Sequence, residues 1–135
     1  MFDEQIINGE LLYPEPGGAP GVRLRIRLPW YRSLPLSCIE RVEVTIDGEP
    51  VNRAEVSLTL DGLNHTLDEA AGLHDVWWFV LDTADLHIRR NKPLSPGDHP
   101  VTVTLGCRIP YSATDFVFRQ VARCEKTLTL VGRDW

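Results

Sequence analysis

The sequence predicts an all-β fold: a single-domain antiparallel β-sandwich of the jelly-roll or immunoglobulin-like kind, with at most one or two short helical turns. Apolar and polar residues alternate with a period of two along much of the chain. In RVEVTID (41–47), for example, Val42, Val44 and Ile46 share one face. Turn signals interrupt this alternation roughly every ten residues, which is typical of sandwiches and barrels. The clearest turn signals are Asp47-Gly48, Asp61-Gly62 and Pro96-Gly97.

In chain order, the strands begin after YPEPGGAPG (13–21), which is rich in proline and glycine and is predicted to be a surface loop or hairpin tip. The first long strand, VRLRIRL (22–28), places its leucines and isoleucine on one face and three arginines on the other. The later strands are predicted within RVEVTID, VSLTLDGLNHTL, ADLHIRR, LSPGDHPVTVTLGCRI and KTLTLVG. Asp61-Gly62 turns the chain within the second of these segments, and Pro96-Gly97 within the fourth. All of them alternate apolar and polar residues for at least part of their length, as half-buried strands do.

Two stretches between these strands have a different pattern. LDEAAGLHDV (67–76) has a helical composition, but Gly72 limits it to a turn or two. VWWFVL (76–81) is the longest apolar run, which predicts a buried strand. Adjacent residues of a strand face opposite sides, so one of Trp77 and Trp78 belongs to the core. The other is either a second core contact or an exposed anchor.

Size, charge and cysteine content narrow the class of protein. The 135 residues are predicted to form one domain, 1–135, long enough to bury a core without disulfides or a metal. The net charge of -5 disfavours nucleic acid as a partner, since phosphate binding needs a basic surface. Three cysteines, an odd number, favour reduced thiols in a cytoplasmic protein. The initial MFDEQIINGELL lacks the regions of a secretory signal, and the apolar runs are too short to span a bilayer, so no membrane association is expected.

Residue types that carry catalysis or bind metals form no recognisable pattern. The four histidines contain no H-x-H or H-x-x-x-H pair, and there is no Cys-x-x-Cys. There is no G-x-S-x-G motif, and the three cysteines are expected to be buried structural thiols. No spacing of carboxylates singles out an acid/base pair. We therefore predict no catalytic and no metal-binding residue in this chain.

Two strands end in a similar way, in RLPWYR (27–32) and CRIPY (107–111). Proline lacks the N–H donor and so ends a β-ladder. If both ends lie on the same side of the sandwich, their aromatic residues gather there. Trp, Tyr and Arg are the residue types most enriched at binding hot spots, which favours an interface over simple packing across the end of the sandwich. The candidate interface or pocket-lining residues are Pro29, Trp30, Tyr31, Arg32, Pro110 and Tyr111.

The arginines of residues 23–27 share one strand face, which is either a solvated outer face or a surface for an acidic partner. Together these features favour a binding or accessory module. Two other classes stay open on the residues alone. One is a carbohydrate-binding or interaction β-sandwich, in which Trp30, Tyr31 and Tyr111 would stack on sugar rings. The other is a small stand-alone β-barrel enzyme that uses His and Glu.

Four segments resemble the small β subunit of bacterial C-glycoside deglycosidases. The likeness covers most of the chain and thins between residues 63 and 90. It is strongest in the first fifty residues, where the patterns R-[LI]-P-[WY]-Y-R and V-x-[VI]-D-G occur. The four segments are MFDEQII (1–7), RIRLPWYRSLPLSCIERVEVTIDGEPV (25–51), SPGDHPVTVTL (95–105) and RIPY (108–111).

This resemblance implies a hetero-oligomer in which a TIM-barrel α subunit carries the active site and this chain is a non-catalytic β-sandwich subunit. Enzymes of the family cleave the carbon–carbon bond between a sugar and an aromatic aglycone, after a separate oxidoreductase has oxidised the sugar at its 3-position. The 3-oxo group acidifies the neighbouring C–H, so a base can start the elimination, and a divalent metal, manganese in this family, stabilises the enolate. The metal and the base are expected in the α subunit, and no cofactor is expected in this chain. The end formed by residues 29–32 and 110–111 is expected to pack on the α subunit, near the mouth of its active site.

Overall fold

The computed structural model of the chain describes residues 5–13, 20–30, 32–92, 94–109 and 118–131. Within these ranges the chain is built mainly of strands, so the all-β prediction is confirmed. The strands are β1 Leu11–Leu12, β2 Gly21–Arg27, β3 Leu34–Pro35, β4 Ile39–Ile46, β5 Glu49–Pro50, β6 Val56–Leu60, β7 Leu63–Thr66, β8 Trp77–Trp78, β9 Thr83–Arg89, β10 Asp98–Ile109 and β11 Phe118–Val131.

The stretch of helical composition forms one short helix, α1, Leu67–Ala70. Thr66 caps it, because Thr66 Oγ1 accepts a hydrogen bond from the Glu69 N–H at 3.1 Å and the Glu69 carboxylate accepts one from the Thr66 N–H at 2.8 Å. This reciprocal capping satisfies two donors that would otherwise be unpaired at the helix start, which is why so short a helix forms. Two 3-10 turns, Leu36–Cys38 and Arg53–Glu55, add to the predicted helical content.

Most of the strands belong to one nine-stranded sheet, in the order β5-β4-β10-β11-β1-β2-β9-β6-β7, while β3 and β8 form a separate two-stranded ribbon. The described strand pairings are antiparallel except for the short one between β1 and β11, which is parallel and sets Leu11 opposite Leu130. The sheet curls, and residues from both of its halves belong to a single apolar cluster. The two predicted layers are therefore the halves of one continuous sheet, joined through β1.

Burial follows the alternation that the sequence predicts. On β2 the three inward apolar residues are buried whereas Arg25 is exposed, and β4, β6 and β9 repeat the pattern. β10 departs from it, because residues 103–107 are all buried and the register with β4 shifts between Gly106 and Cys107. Glycine is needed at this bulge, since a Cβ on Gly106 would lie 2.9 Å from the Cβ of Arg41.

β2 and β10 run in the same direction. β2 is antiparallel to β1, β1 is parallel to β11, and β11 is antiparallel to β10. Both strands therefore finish toward the same end of the sheet. β4 begins at that end, where Ile39 pairs with Cys107. The chain between β2 and β4, residues 28–38, passes across this end, and we call it the crossing segment.

Candidate functional site

The crossing segment contains three of the predicted interface residues that the structure describes. Pro29 is buried, Trp30 is half-buried against the core, and Arg32 is exposed. The other three candidates, Tyr31, Pro110 and Tyr111, lie outside the described residues. An interface role for the six residues therefore stays a prediction.

The crossing segment ends in contact with the last residues of β10. Arg108 Nη2 lies 3.8 Å from Cys38 Sγ. The Glu40 carboxylate, two residues further on, accepts hydrogen bonds from Arg108 at 3.4 Å and from Arg119 at 2.8 Å. The eleven residues of the crossing segment thus lead from the end of β2 to the start of β4, beside the end of β10.

A second segment, residues 73–80, is hydrogen-bonded along the crossing segment. β3 pairs with β8 in the two-stranded ribbon. Beyond the ribbon, the backbone N–H groups of residues 36 and 37 donate hydrogen bonds to carbonyls of this segment at 2.8 and 3.1 Å. At the other end of the ribbon, Ser33 Oγ accepts a hydrogen bond from the Val80 N–H at 2.9 Å. The two segments therefore form one hydrogen-bonded unit on the surface of the sheet.

Trp77 and Trp78 lie on opposite sides of the ribbon, as the sequence predicts for adjacent residues of a strand. Trp78 is fully buried (0% exposed), and its Nε1 donates a hydrogen bond to the carbonyl of Asp82 at 3.0 Å. Trp77 is 43% exposed. The prediction of a buried strand over residues 76–81 is wrong, because the strand ends at Trp78. A turn follows it, closed by a hydrogen bond from the Asp82 N–H to the Phe79 carbonyl at 2.9 Å.

This turn exposes two more apolar side chains, Phe79 at 55% and Leu81 at 84%. With Trp77 they form a surface that we call the apolar ridge (Trp77, Phe79 and Leu81). The sequence prediction misses the exposure of Phe79 and Leu81, since an uninterrupted apolar run predicts a buried strand. No local signal separates them from the buried Trp78, because the turn contains neither glycine nor proline.

The arginine face of β2 takes part in a polar groove of about 790 Å³ on the outer side of β2, β9, β6 and β7. Asp85 on β9 lies 3.8 Å from both Arg23 and Arg25. Asn64 donates hydrogen bonds across the strands to Ser57 and Thr59, at 3.0 and 2.8 Å. The described lining contains no Trp, Tyr or Phe side chain on which a sugar could stack. The cross-strand pairing fits a solvated outer face better than a sugar-binding face.

Potential catalytic groups are dispersed in the described residues. The three cysteines are buried and unbonded. Burial raises the pKa of the Cys107 thiol to about 12, and the neighbouring Cys38 and Glu40 add to the shift, so Cys107 stays protonated and is a poor nucleophile. Within the ranges that the structure describes, no three His, Cys, Asp or Glu side chains lie together as a metal site would require. No helix among those residues is long and apolar enough to cross a membrane.

Comparison with known proteins assigns the chain to a family. The family described as C-glycoside deglycosidase beta subunit matches residues 2–111. The chain is 41% identical to the 3'-dehydrocarminate deglycosidase beta subunit of a Microbacterium species, over 82% of this chain and 81% of that protein. It is 40% identical to a C-glycoside deglycosidase beta subunit of Microbacterium trichothecenolyticum, over 82% of each chain. A third relative, from Arthrobacter globiformis, is 32% identical over 85% of this chain and 86% of its own. The chain therefore belongs to the C-glycoside deglycosidase beta-subunit family.

Proposed function

We propose that this chain is the non-catalytic small subunit of a heteromeric C-glycoside deglycosidase, a carbon–carbon lyase that acts on 3-oxo-C-glycosides. The match of residues 2–111 to the beta-subunit family carries the proposal. Two observations support a non-catalytic role for this chain: the titratable groups of the described residues are dispersed, and Cys107 is buried and protonated. The three buried cysteines pack in the core, which suits an accessory subunit.

In the proposed complex, the partner is a TIM-barrel α subunit that holds the manganese ion and the base. The base would remove the proton from the carbon next to the 3-oxo group, which gives an enolate. The enolate electron pair would then form a C=C bond in the sugar as the sugar–aglycone C–C bond breaks, and the aglycone carbon would leave with the electron pair of that bond and take up a proton. The metal would supply Lewis-acid stabilisation of the enolate. This chain would stabilise the α subunit and wall its substrate pocket. The family resemblance supports a catalytic role for the α subunit and an accessory role for this chain.

The proposed docking end includes Trp30, which is half-buried and fixed against the core. An aromatic side chain held in this way loses little conformational entropy when it binds, which favours its use as an anchor. We expect the change Trp30→Ala to reduce co-purification of the two subunits after co-expression. An intact, fully active complex containing that variant would rule out the anchor role.

We also propose that the protein works in the cytoplasm. The three buried thiols are unbonded, although Cys38 and Cys107 lie close enough for Cys38 to raise the pKa of Cys107. A reducing compartment keeps such thiols in this state. Cell fractionation of the source organism, with detection of this chain by mass spectrometry, tests the assignment; recovery mainly from the culture medium would overturn it.

Turnover assays on a 3-oxo-C-glucoside, with this chain alone, the large subunit alone and the two together, test the accessory role. The proposal expects no product from this chain alone and full turnover from the pair. Product formed by the purified chain alone would refute it. The same preparation tests the carbohydrate-binding alternative, for which the chain alone would have to bind glycans in a direct titration.

A further inference from the structure

We propose that the apolar ridge, Trp77, Phe79 and Leu81, is the surface on which the large subunit of the enzyme binds. This inference rests on the proposed function, since it takes the partner to be the second subunit of the deglycosidase. It adds a surface outside the residues selected from the sequence, and it assigns a role to side chains that the fold leaves in water.

The ridge is apolar surface concentrated in a short stretch of chain. Its three side chains are 43%, 55% and 84% exposed, and they fall within five consecutive residues. The first and last Cα atoms are therefore no more than roughly 14 Å apart. The three side chains together expose on the order of 300 Å² of apolar surface, an area at which contiguous patches on monomers often mark interaction sites. An isolated domain gains nothing from leaving this surface in water.

Buried contacts and hydrogen bonds fix the backbone that carries the ridge. Trp78, the residue after Trp77, is buried in the core, and its Nε1 donates a hydrogen bond to the carbonyl of Asp82 at 3.0 Å. Ser33 accepts the Val80 N–H at 2.9 Å, and the Asp82 N–H closes the turn at 2.9 Å. The backbone under the exposed side chains is thus fixed before any partner binds. Such preorganisation lowers the entropy cost of association.

Two other exposed apolar residues in the described part of the chain, Val121 and Leu63, lack these features. Val121 on β11 is 50% exposed, but its neighbours on the same face of the strand are Arg119 and Arg123. These arginines pair with Glu40 and Glu125, at 2.8 and 3.3 Å, and covering them would remove both ion pairs from water. Leu63 is 64% exposed at the β6–β7 turn, beside the positive-φ Gly62 and polar Asn64. Neither site offers a cluster of apolar side chains.

The ridge is also continuous with the part of the chain that marks the family. The crossing segment, which is hydrogen-bonded to the ridge segment through β3 and Ser33, belongs to the first fifty residues, where the family resemblance is strongest. A different chain must bind to part of the surface of a beta subunit. The ridge and the exposed Arg32 belong to one hydrogen-bonded unit of this surface. An aromatic and aliphatic centre with an arginine nearby is the composition of an interface core and its rim. We therefore assign the large subunit, rather than a second copy of this chain, as the occupant.

Binding measurements with the purified large subunit test the assignment. Phe79→Asp and Leu81→Asp place a charge on the ridge, and Leu63→Asp and Val121→Asp place one on exposed apolar residues elsewhere. We expect each ridge variant to raise the Kd for the large subunit by about tenfold or more, and each control variant to change it by less than about threefold. Circular dichroism spectra and urea midpoints are expected to match the wild type for all four variants, because the altered side chains are exposed.

The outcomes separate this inference from the proposed function. If the wild-type chain binds the large subunit and the ridge variants bind it as tightly, the ridge assignment is wrong while the subunit assignment stands. If the wild-type chain does not bind the large subunit, the proposed function itself fails. Sedimentation of the wild type as a dimer that the ridge variants convert to a monomer would assign the ridge to a second copy and overturn the choice of occupant.

Discussion

His99 Nδ1 lies 2.9 Å from both carboxylate oxygens of Asp47, while its Nε2 lies 2.7 Å from the carbonyl oxygen of Ser95. Both ring nitrogens thus face acceptors, an arrangement that only a protonated imidazole satisfies by donating twice. The contact ties the β4–β5 turn to the start of β10. It lies at the opposite end of β4 and β10 from the crossing segment, so it concerns stability rather than docking.

Stability of the chain should therefore depend on the charge of His99. The hydrogen bond to the Ser95 carbonyl and the pairing with Asp47 raise the pKa of His99, while its burial and the nearby Arg90 oppose the rise. The stabilising contribution is complete below the unfolded pKa of about 6.5. It is lost as the pH rises through the higher pKa of the folded state. Urea unfolding of the wild type and of His99→Gln at several pH values is expected to show a difference in free energy that shrinks as the pH rises.

The exposed His74 supplies the control for this measurement. The variant His74→Gln is expected to follow the pH dependence of the wild type. If the difference in unfolding free energy between wild type and His99→Gln stays constant from mildly acidic to mildly alkaline pH, His99 is not charged in the folded chain. Binding of the large subunit should be the same for wild type and His99→Gln at one pH, since His99 is remote from the crossing segment.

Substitutions of the two adjacent tryptophans should affect different properties: Trp78 the stability of the chain, and Trp77 its association with the large subunit. Trp78→Phe removes buried volume and the indole donor to Asp82, which is expected to lower the free energy of unfolding by about 1–3 kcal/mol. Trp77→Ser changes an exposed side chain and is expected to cost less than about 1 kcal/mol while weakening association with the large subunit. Urea denaturation and binding titration of both variants check the pair. Equal destabilisation by the two changes would contradict the assigned orientations.

Ser33 should control the order of the turn that carries Leu81. Without its hydroxyl oxygen the Val80 N–H loses its acceptor, and we expect Ser33→Ala to lower stability by about 1 kcal/mol. Amide hydrogen exchange at Val80 should become faster, whereas exchange in the β10–β11 ladder should keep its pattern. Ser57→Ala, which removes an outer-face acceptor for Asn64, is the matched control. Unchanged exchange at Val80 in Ser33→Ala would show that the turn does not depend on this hydrogen bond.

The buried thiols should resist alkylation in the native protein. Because burial raises the pKa of Cys107 to about 12, the thiolate fraction of this residue at pH 8 is negligible. Iodoacetamide at pH 8 is expected to leave all three cysteines unmodified in the folded chain and to modify all three in urea, as mass spectrometry would show. Rapid modification of Cys107 in the folded chain would contradict the structural role assigned to it.

The alternating strands could be predicted because each half-buried strand carries its own signal. Val42, Val44 and Ile46 are buried as the pattern requires, and Asp47 and Gly48 both adopt positive φ in the turn after them. The parallel pairing of Leu11 with Leu130 could not be predicted. It involves only two residues of β1 and joins distant parts of the sequence, and no local pattern encodes such a contact.

Only part of the candidate site has a signal in the sequence. The hot-spot composition of the crossing segment selects Trp30 and Arg32 as interface candidates, and this role stays a prediction, because which side chain faces a partner depends on contacts made in three dimensions. Exposure of Phe79 and Leu81 depends on a backbone hydrogen bond between Asp82 and Phe79 in a turn without glycine or proline. Such a turn resembles a strand in the sequence, because its first three residues, 79–81, are apolar.

The central claim is that this chain acts only as a subunit of the deglycosidase, and titration of catalytic turnover tests it most directly. A fixed concentration of the large subunit is mixed with increasing amounts of this chain, and product formation from a 3-oxo-C-glucoside is measured. We expect no product from this chain alone and a rate that rises with added chain and saturates at a fixed ratio of the two subunits. A rate that does not depend on added chain, or turnover by this chain alone, would contradict the account.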